Sequence, residues 1–254
     1  MGTHRPGRRP ESRADLISAA LQSDAENDGK RLLYGRRFGR KLRPRKRGLM
    51  ETLLPRIAVD PSRLADGPGA VFDPPADRVW LEIGFGNGEH IAEQARRNPD
   101  TGLIGCEPFI NGVAALLDEI DRDGIGNIRI FPDDARIVLD ALPEASIGRC
   151  FVLFPDPWPK SRHNRRRFVS PENLDSLARV LCDGAELRLA SDHADYVRWM
   201  LFHTLRHPAF EWLARGPADW RDKPADWPVT RYEEKALARG ERCAYLRFRR
   251  ISRR

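Results

Sequence analysis

From residue 78 onward, short apolar runs alternate with segments of helical hydrophobic spacing, and this alternation constrains the fold more than any other feature. Because each helical segment returns the chain to a further strand, the strands pair in parallel and helices cover both faces of the sheet. The apolar runs predict strands over residues 79–83, 102–107, 127–131, 150–154, 185–190, 210–213 and 244–248. The segments between them predict helices over 89–97, 110–120 and 135–142, from 170 onward, and over 194–205. The sequence therefore predicts an α/β fold with a doubly wound, mostly parallel seven-stranded sheet.

Five of the predicted strands end at acidic, serine-containing or glycine-rich positions. These positions are residues 82–88, Glu107, Asp133-Asp134, the residues around Asp156, and Ser191-Asp192. Ligands of such sheets bind beyond the carboxyl ends of the strands, and these positions would meet there at one edge. Five polar clusters at the same edge predict a shared binding site rather than five unrelated solvated turns.

The first of these clusters, Glu82-Ile-Gly84-Phe-Gly86-Asn-Gly88, is a glycine-rich turn between a strand and a helix. Glycines there allow backbone N–H groups to approach a ligand without interference from side chains. A nicotinamide dinucleotide and S-adenosylmethionine would both use Glu107 to bind ribose hydroxyls. Glu82 would repel a pyrophosphate but suits the cationic amino-acid end of S-adenosylmethionine, which we therefore favour. Asp134, or its neighbour Asp133, is expected to meet the adenine amino group.

The segment after the fourth strand, Phe154-Pro-Asp-Pro-Trp-Pro-Lys-Ser-Arg-His-Asn-Arg-Arg-Arg167, places one carboxylate between prolines and then adds a dense group of cations. Proline has no N–H and a fixed φ, so the prolines make a stiff loop around Asp156. A rigid acid beside cations suits a polyanionic substrate whose phosphates the cations would hold. The cations are Lys160, Arg162, Arg165, Arg166 and Arg167. The alternative is a proline-rich turn followed by a solvated charge run.

Charge is distributed unevenly along the chain. The net charge is +7, and residues 1–48 alone carry 14 Lys or Arg against 5 Asp or Glu, so the remainder is close to neutral. Tyr34 and Phe38 stand among these cations, which favours contact with nucleic acid through phosphates and stacked bases. A disordered solubilising arm is the alternative. We expect a basic, partly disordered extension over residues 1–50 and one domain over residues 51–254.

Other features argue against several classes of protein. The four cysteines include no Cys-x-x-Cys pair, so neither a zinc site nor a disulfide framework is predicted. No apolar stretch approaches the roughly 20 residues of a membrane span, and the N-terminus lacks the apolar segment of a secretory signal. We therefore expect a cytoplasmic protein with no metal and no membrane partner.

The motifs together resemble those of the tRNA (guanine-N(7)-)-methyltransferase family, within the Rossmann-like class I methyltransferases. The resemblance runs from about Arg78 to the C-terminus. It rests on Leu81–Gly88, Gly105–Glu107, Asp134-Ala135, Phe154–Arg167, Ser191-Asp192 and Thr230–Glu233. It implies transfer of a methyl group from S-adenosylmethionine to N7 of guanine in the variable loop of tRNA, at position 46. The oligomeric state stays open between a monomer and a homodimer.

Carried over position by position, the resemblance also assigns roles to residues. Asp156 is the implied catalytic residue. The implied cofactor contacts are Glu82, Gly84, Gly86, Gly88, Glu107, Asp134 and Asp156, and the implied tRNA contacts are Lys160, Asp192, Thr230, Arg231, Tyr232 and Glu233. The residues themselves leave alternatives open, since Asp192 and Thr230 could each cap a helix, with Glu233 completing a capping box at Thr230. Trp158 could stack on a base or anchor its loop in the core.

Overall fold

A seven-stranded sheet forms the centre of the protein in the computed structural model, which describes residues 33–228 and 230–253. The strands are β1 (Arg78–Ile83), β2 (Thr101–Cys106), β3 (Ile128–Phe131), β4 (Ile147–Leu153), β5 (Leu181–Ser191), β6 (Phe210–Trp212) and β7 (Ala244–Arg250). Their order across the sheet is β3-β2-β1-β4-β5-β7-β6. The first five strands pair in parallel, and β7 runs antiparallel to both of its neighbours. The predicted α/β fold with a mostly parallel seven-stranded sheet is confirmed.

Helices cover both faces of this sheet. They are α1 (Pro44–Thr52), α2 (Leu54–Ile57), α3 (Glu89–Arg97), α4 (Ile110–Asp123), α5 (Ala135–Ala141), α6 (Pro171–Val180), α7 (Ala194–Arg206), α8 (Ala218–Arg221) and α9 (Arg231–Ala238). Apolar residues of α1 to α4 form one buried cluster with the sheet, and those of α5 to α7 form another. Two separate apolar layers explain why the central strands are buried on both sides and read as continuous apolar runs.

Local sequence signals set most of the boundaries. Helix α6 starts at Pro171, and the Ser170 side chain before it accepts a hydrogen bond from the Asn173 N–H at 3.4 Å. Strand β4 starts at Ile147, three residues earlier than predicted, and a register shift between Ile147 and Arg149 interrupts its pairing with β5. Strand β5 likewise starts directly after α6 rather than at 185. Irregular pairing of this kind interrupts the alternation on which the prediction relied.

The strand register gathers the predicted polar clusters at one edge. Ile83 pairs with Cys106 and Val152, Cys106 pairs with Phe131, and Leu153 pairs with Ala190. The glycine-rich turn, the two acidic strand ends and the proline-rich loop therefore leave the sheet side by side.

Part of the basic extension packs on this edge. Residues 33–42, here called the N-terminal segment, are held by α4, because the Ile110 N–H donates to the Arg37 carbonyl at 2.9 Å. The Gly39 N–H donates to Asn111 Oδ1 at 2.7 Å, and Asn111 Nδ2 donates to the Arg40 carbonyl at 2.6 Å. Helix α1 then packs on α4 and runs across the boundary drawn at residue 50. Residues 1–32 lie outside the described residues.

None of the helices within the described ranges combines the length and apolar character that crossing a membrane requires.

Candidate active site

The glycine-rich turn between β1 and α3 forms one wall of the cleft. Gly84, Gly86 and Gly88 all have positive φ (73°, 56° and 87°), which side-chain-bearing residues rarely adopt. A Cβ added at Gly84 or Gly86 would meet only open space, whereas one at Gly88 would lie 2.7 Å from Leu116 Cβ. Gly88 therefore permits close packing of α3 on α4, and the first two glycines border open space that a ligand can fill.

Glu107, directly after β2, is buried and holds the same turn. Its Oε2 accepts from the Gly86 N–H and its Oε1 from the Phe109 N–H, both at 2.8 Å. Burial raises the pKa of its carboxyl to about 7; the two backbone hydrogen bonds oppose this rise, and the charges of Asp156 and Glu82 add to it. The three carboxylates therefore share one site, and donors from a ligand would favour ionised Glu107.

Glu82, near the end of β1, has a buried partner, His90, that the sequence did not indicate. Its Oε2 lies 2.6 Å from His90 Nδ1, and both side chains are buried. The His90 ring stands edge-on to Phe151 of β4, with centroids 4.7 Å apart. The available signal was a histidine on the first turn of the helix that follows the glycine-rich turn.

The two acids after β3 are both engaged within the protein. Asp134 caps α5 by accepting from the Arg136 N–H at 3.0 Å, and its carboxylate also pairs with the Arg136 guanidinium. Asp133 Oδ1 accepts from the Asp134 N–H at 2.8 Å and from Arg37 at 3.1 Å. Asp134 is the more buried, but the choice between them for an adenine stays a prediction.

The proline-rich loop after β4 presents Asp156 at an exposed position at the sheet edge. Phe154 and Trp158, on either side, adopt positive φ (50° and 43°), so the backbone around the acid is held in an unusual conformation. Although Asp156 is open to the cleft, the surrounding walls remove water and raise the pKa of its carboxyl. The N-terminal segment is one of these walls, since a Cβ added at Gly35 would lie 3.8 Å from Asp156 Oδ2.

The cations that follow Asp156 fall into different environments. Lys160, Arg162 and Arg165 are exposed. Arg166 lies over the rings of Tyr34 and Trp158, at 4.5 and 5.1 Å from the centroids. Trp158 therefore anchors its loop to the N-terminal segment through Tyr34, whose ring lies edge-on to it.

Arg167, predicted with the phosphate-binding cations, is buried and is used inside the protein. Its Nε donates to the Pro157 carbonyl at 2.8 Å and its guanidinium pairs with Asp195 at 2.5 Å. It lies between the Tyr196 and Trp199 rings, 5.0 Å from each centroid. In this position Arg167 supports the Asp156 loop from beneath instead of facing a substrate.

The remaining predicted substrate residues lie around α9. Thr230 Oγ1 caps this helix by accepting from the Glu233 N–H at 3.2 Å, but the Glu233 side chain does not complete the capping box that one alternative proposed. The Glu233 carboxylate is buried and turns to the Tyr245 hydroxyl, with Lys223 at 3.7 Å. The helix includes Arg231 and Tyr232, whose side chains lie outside the described part of the structure.

Asp192 does not cap the helix that follows it. The N-cap of α7 is His193, whose N–H donates to Ser191 Oγ at 3.1 Å. Asp192 lies 3.7 Å from Arg239, and burial raises the pKa of its carboxyl. Across residues 33–228 and 230–253, His, Cys, Asp and Glu form no group that could hold a metal ion.

A family model and several known proteins are similar to this chain. A family model described as "Putative methyltransferase" matches residues 76–246. A tRNA (guanine-N(7)-)-methyltransferase of Rhodospirillum rubrum is 53% identical over 221 residues, which cover 85% of this chain and 87% of that protein. One of Paramagnetospirillum magneticum is 51% identical over 224 residues, covering 87% and 93%. The solved 16S rRNA (adenine(1408)-N(1))-methyltransferase from Catenulisporales acidiphilia is 18% identical, with a TM-score of 0.48, covering 77% of this chain and 95% of that one.

Proposed function

The chain belongs to the tRNA (guanine-N(7)-)-methyltransferase family, and we propose that it transfers a methyl group from S-adenosylmethionine to N7 of a guanine in the variable loop of tRNA. The observation that carries the proposal is the meeting of three carboxylates, Glu82, Glu107 and Asp156, beside exposed cations at one sheet edge. Such a cleft suits a cationic cofactor and a polyanionic substrate together. A tRNA substrate would place the reaction in the cytoplasm.

The residues present fit S-adenosylmethionine. When bound, this cofactor supplies a methyl group on a positively charged sulfur. The open space above Gly84 and Gly86 gives room for a ligand against the backbone. Glu82 would hold the ammonium end, and Glu107, whose two oxygens retain lone pairs beyond the backbone bonds, would accept from the ribose hydroxyls. Asp134 or Asp133 would meet the adenine amino group.

Asp156 would act on the guanine by position and charge rather than as a base. Guanine N7 has an in-plane lone pair and no proton, so its attack requires no deprotonation. The purine becomes cationic as the new bond forms, and hydrogen bonds from N1–H and the exocyclic amine to a carboxylate strengthen as it does. The partly desolvated carboxyl of Asp156 suits this task because electrostatic interactions are stronger where water is excluded.

The exposed cations would bind the tRNA backbone. Lys160, Arg162 and Arg165 are available at the surface beside Asp156 and each can neutralise a phosphate. Each phosphate contact releases counterions, so affinity should fall steeply with salt. Asp192 and Thr230, together with the side chains of α9, would form the remainder of the substrate surface.

The test is direct. The protein is incubated with methyl-labelled S-adenosylmethionine and an unmodified tRNA transcript, and reductive cleavage with aniline then locates any N7-methylguanine. We expect label at a variable-loop guanine, no label on a transcript with adenine at that position, and greatly reduced label with Asp156→Asn. Label retained on the adenine transcript, or placed on another base, would contradict the proposal.

A further inference from the structure

A buried polar chain runs from the cofactor side of the cleft toward the α9 segment. It begins at the Glu82 carboxylate, continues to His90 Nδ1 at 2.6 Å, and reaches Gln94 one helical turn later, where Gln94 Nε2 lies 3.4 Å from His90 Nε2. All three side chains are at most 3% exposed. Polar groups so deeply buried need partners, so the direction of each hydrogen bond can be worked out.

The amide of Gln94 has a fixed orientation. Its Nε2 donates to the Asp226 carbonyl at 3.0 Å, and its Oε1 accepts from Asn98 Nδ2 at 3.4 Å. Exchanging the amide oxygen and nitrogen would set two acceptors against each other at Asp226 and two donors at Asn98. Gln94 therefore turns an N–H, and not a carbonyl, toward His90.

This orientation determines the tautomer of His90. Since Gln94 offers a donor, His90 Nε2 must accept, and the ring proton is then on Nδ1. The Nδ1–H of His90 therefore donates to the Glu82 carboxylate, which accepts. A His90 imidazolium would place an Nε2–H against the Gln94 N–H. The packing of the ring against Phe151 and Trp227 prevents the imidazole from turning away.

The same chain reaches the proposed substrate segment. Asp226, whose carbonyl accepts from Gln94, has its carboxylate held by Arg188 at 2.7 Å. The next residue, Trp227, is buried against both His90 and Tyr245, and Tyr245 in turn contacts Glu233 at the start of α9. The residues just before α9 are thus packed on the helix that carries His90.

We propose that His90 is a positioning residue: as the neutral Nδ1–H tautomer, fixed by Gln94, it orients the Glu82 carboxylate toward the cofactor's ammonium group. This inference rests on the proposed use of S-adenosylmethionine. It adds a histidine and a glutamine of α3 to the machinery of the cleft, although neither touches the substrate or the reacting atoms.

The test compares two substitutions of similar size. In His90→Asn, the amide Nδ2 replaces Nδ1 as a donor to Glu82, whereas His90→Leu removes the donor. Isothermal titration with S-adenosylmethionine should give a Kd within about threefold of wild type for Asn and roughly tenfold or more weaker for Leu, the cost of losing a hydrogen bond to a charged group. The control is His207→Leu, which removes a histidine 3.0 Å from Asp175 outside the cleft and should leave the Kd unchanged.

A second measurement needs no cofactor. Nitrogen-15 NMR of the imidazole of the wild-type protein should show a protonated Nδ1 and an unprotonated Nε2 for His90 at neutral pH. A protonated Nε2 overturns the inference, as does equal loss of affinity in the Asn and Leu variants when both melt at the wild-type temperature. Failure of the wild-type protein to methylate tRNA while it binds the cofactor would count against the proposed function alone.

Discussion

Glu107 gives the protein a pH dependence of stability whose size follows from its environment. Burial raises the pKa of this carboxyl from 4.5 to about 7 in the folded protein. Between pH 4.5 and pH 7, therefore, Glu107 holds a proton in the folded state that it has already released in the unfolded state. The stability from this proton is complete below pH 4.5 and is lost as the pH rises through 7. At about 1.4 kcal/mol per unit of pKa shift, the free energy of unfolding falls by about 3 kcal/mol over this pH range.

Glu107→Gln removes the titration and so isolates this contribution. Urea unfolding followed by circular dichroism at pH 5 and pH 8 gives the free energy of unfolding of each protein. We expect the wild type to lose roughly 2 to 3 kcal/mol more than the variant between these two pH values. The variant itself starts less stable, because an amide has one oxygen for two backbone N–H donors and leaves one unpaired, at about 1 to 3 kcal/mol.

Only the difference in pH dependence tests the reasoning. Glu211→Gln, which changes an exposed glutamate on the edge strand β6, is the control and should follow the wild type. If Glu107→Gln and wild type lose stability in parallel from pH 5 to pH 8, Glu107 does not titrate near 7. A ligand that donates hydrogen bonds to Glu107 should lower its pKa, so cofactor binding should release a proton and tighten as the pH rises through 7.

Three further predictions concern the loop after β4. Asp156→Asn should lower kcat roughly 10²-fold, in the range seen for lost electrostatic stabilisation, with unchanged tRNA affinity; a near-normal kcat would refute its role. Lys160→Ala should reduce the slope of log Kd for tRNA against log salt by about one, and an unchanged slope would show that Lys160 meets no phosphate. Arg167→Met should leave that slope unchanged but destabilise the protein by about 2 kcal/mol in thermal unfolding, because it leaves the Pro157 carbonyl without its partner. A changed slope in a protein of normal stability would return Arg167 to the phosphate-binding group.

The sequence predicted what depends on neighbouring residues. The period of the apolar runs and the glycines after Ile83 are local signals, and they placed the sheet edge and its acids correctly. The sequence did not reveal side-chain partners that are far apart along the chain. Arg167 and Asp195 are separated by 28 positions, and Glu107 and the Gly86 N–H by 21. Arg167 illustrates this limit of local patterns. A run of arginines predicts solvated cations, whereas tertiary packing buries this one.

The N-terminal segment is a second example, since its composition indicated only a basic region. Asn111, a single amide on α4, helps to hold the segment because it both accepts from the Gly39 N–H and donates to the Arg40 carbonyl. An asparagine on the first turn of a helix carries no sequence signal for such a role.

The stacking of Arg166 on Tyr34 and Trp158 has a consequence for the order of events when RNA arrives. While Tyr34 stays in place, the guanidinium of Arg166 is shielded on its aromatic side, and Lys160, Arg162 and Arg165 are the cations of this loop that an incoming phosphate meets first. Withdrawal of the N-terminal segment would uncover both Arg166 and the side of Asp156 next to Gly35 in a single movement. Under the proposed function, RNA could then reach the exposed cations before the guanine reaches Asp156. The indole of Trp158, which contacts Tyr34 directly, would report a withdrawal of the segment by a change in its fluorescence.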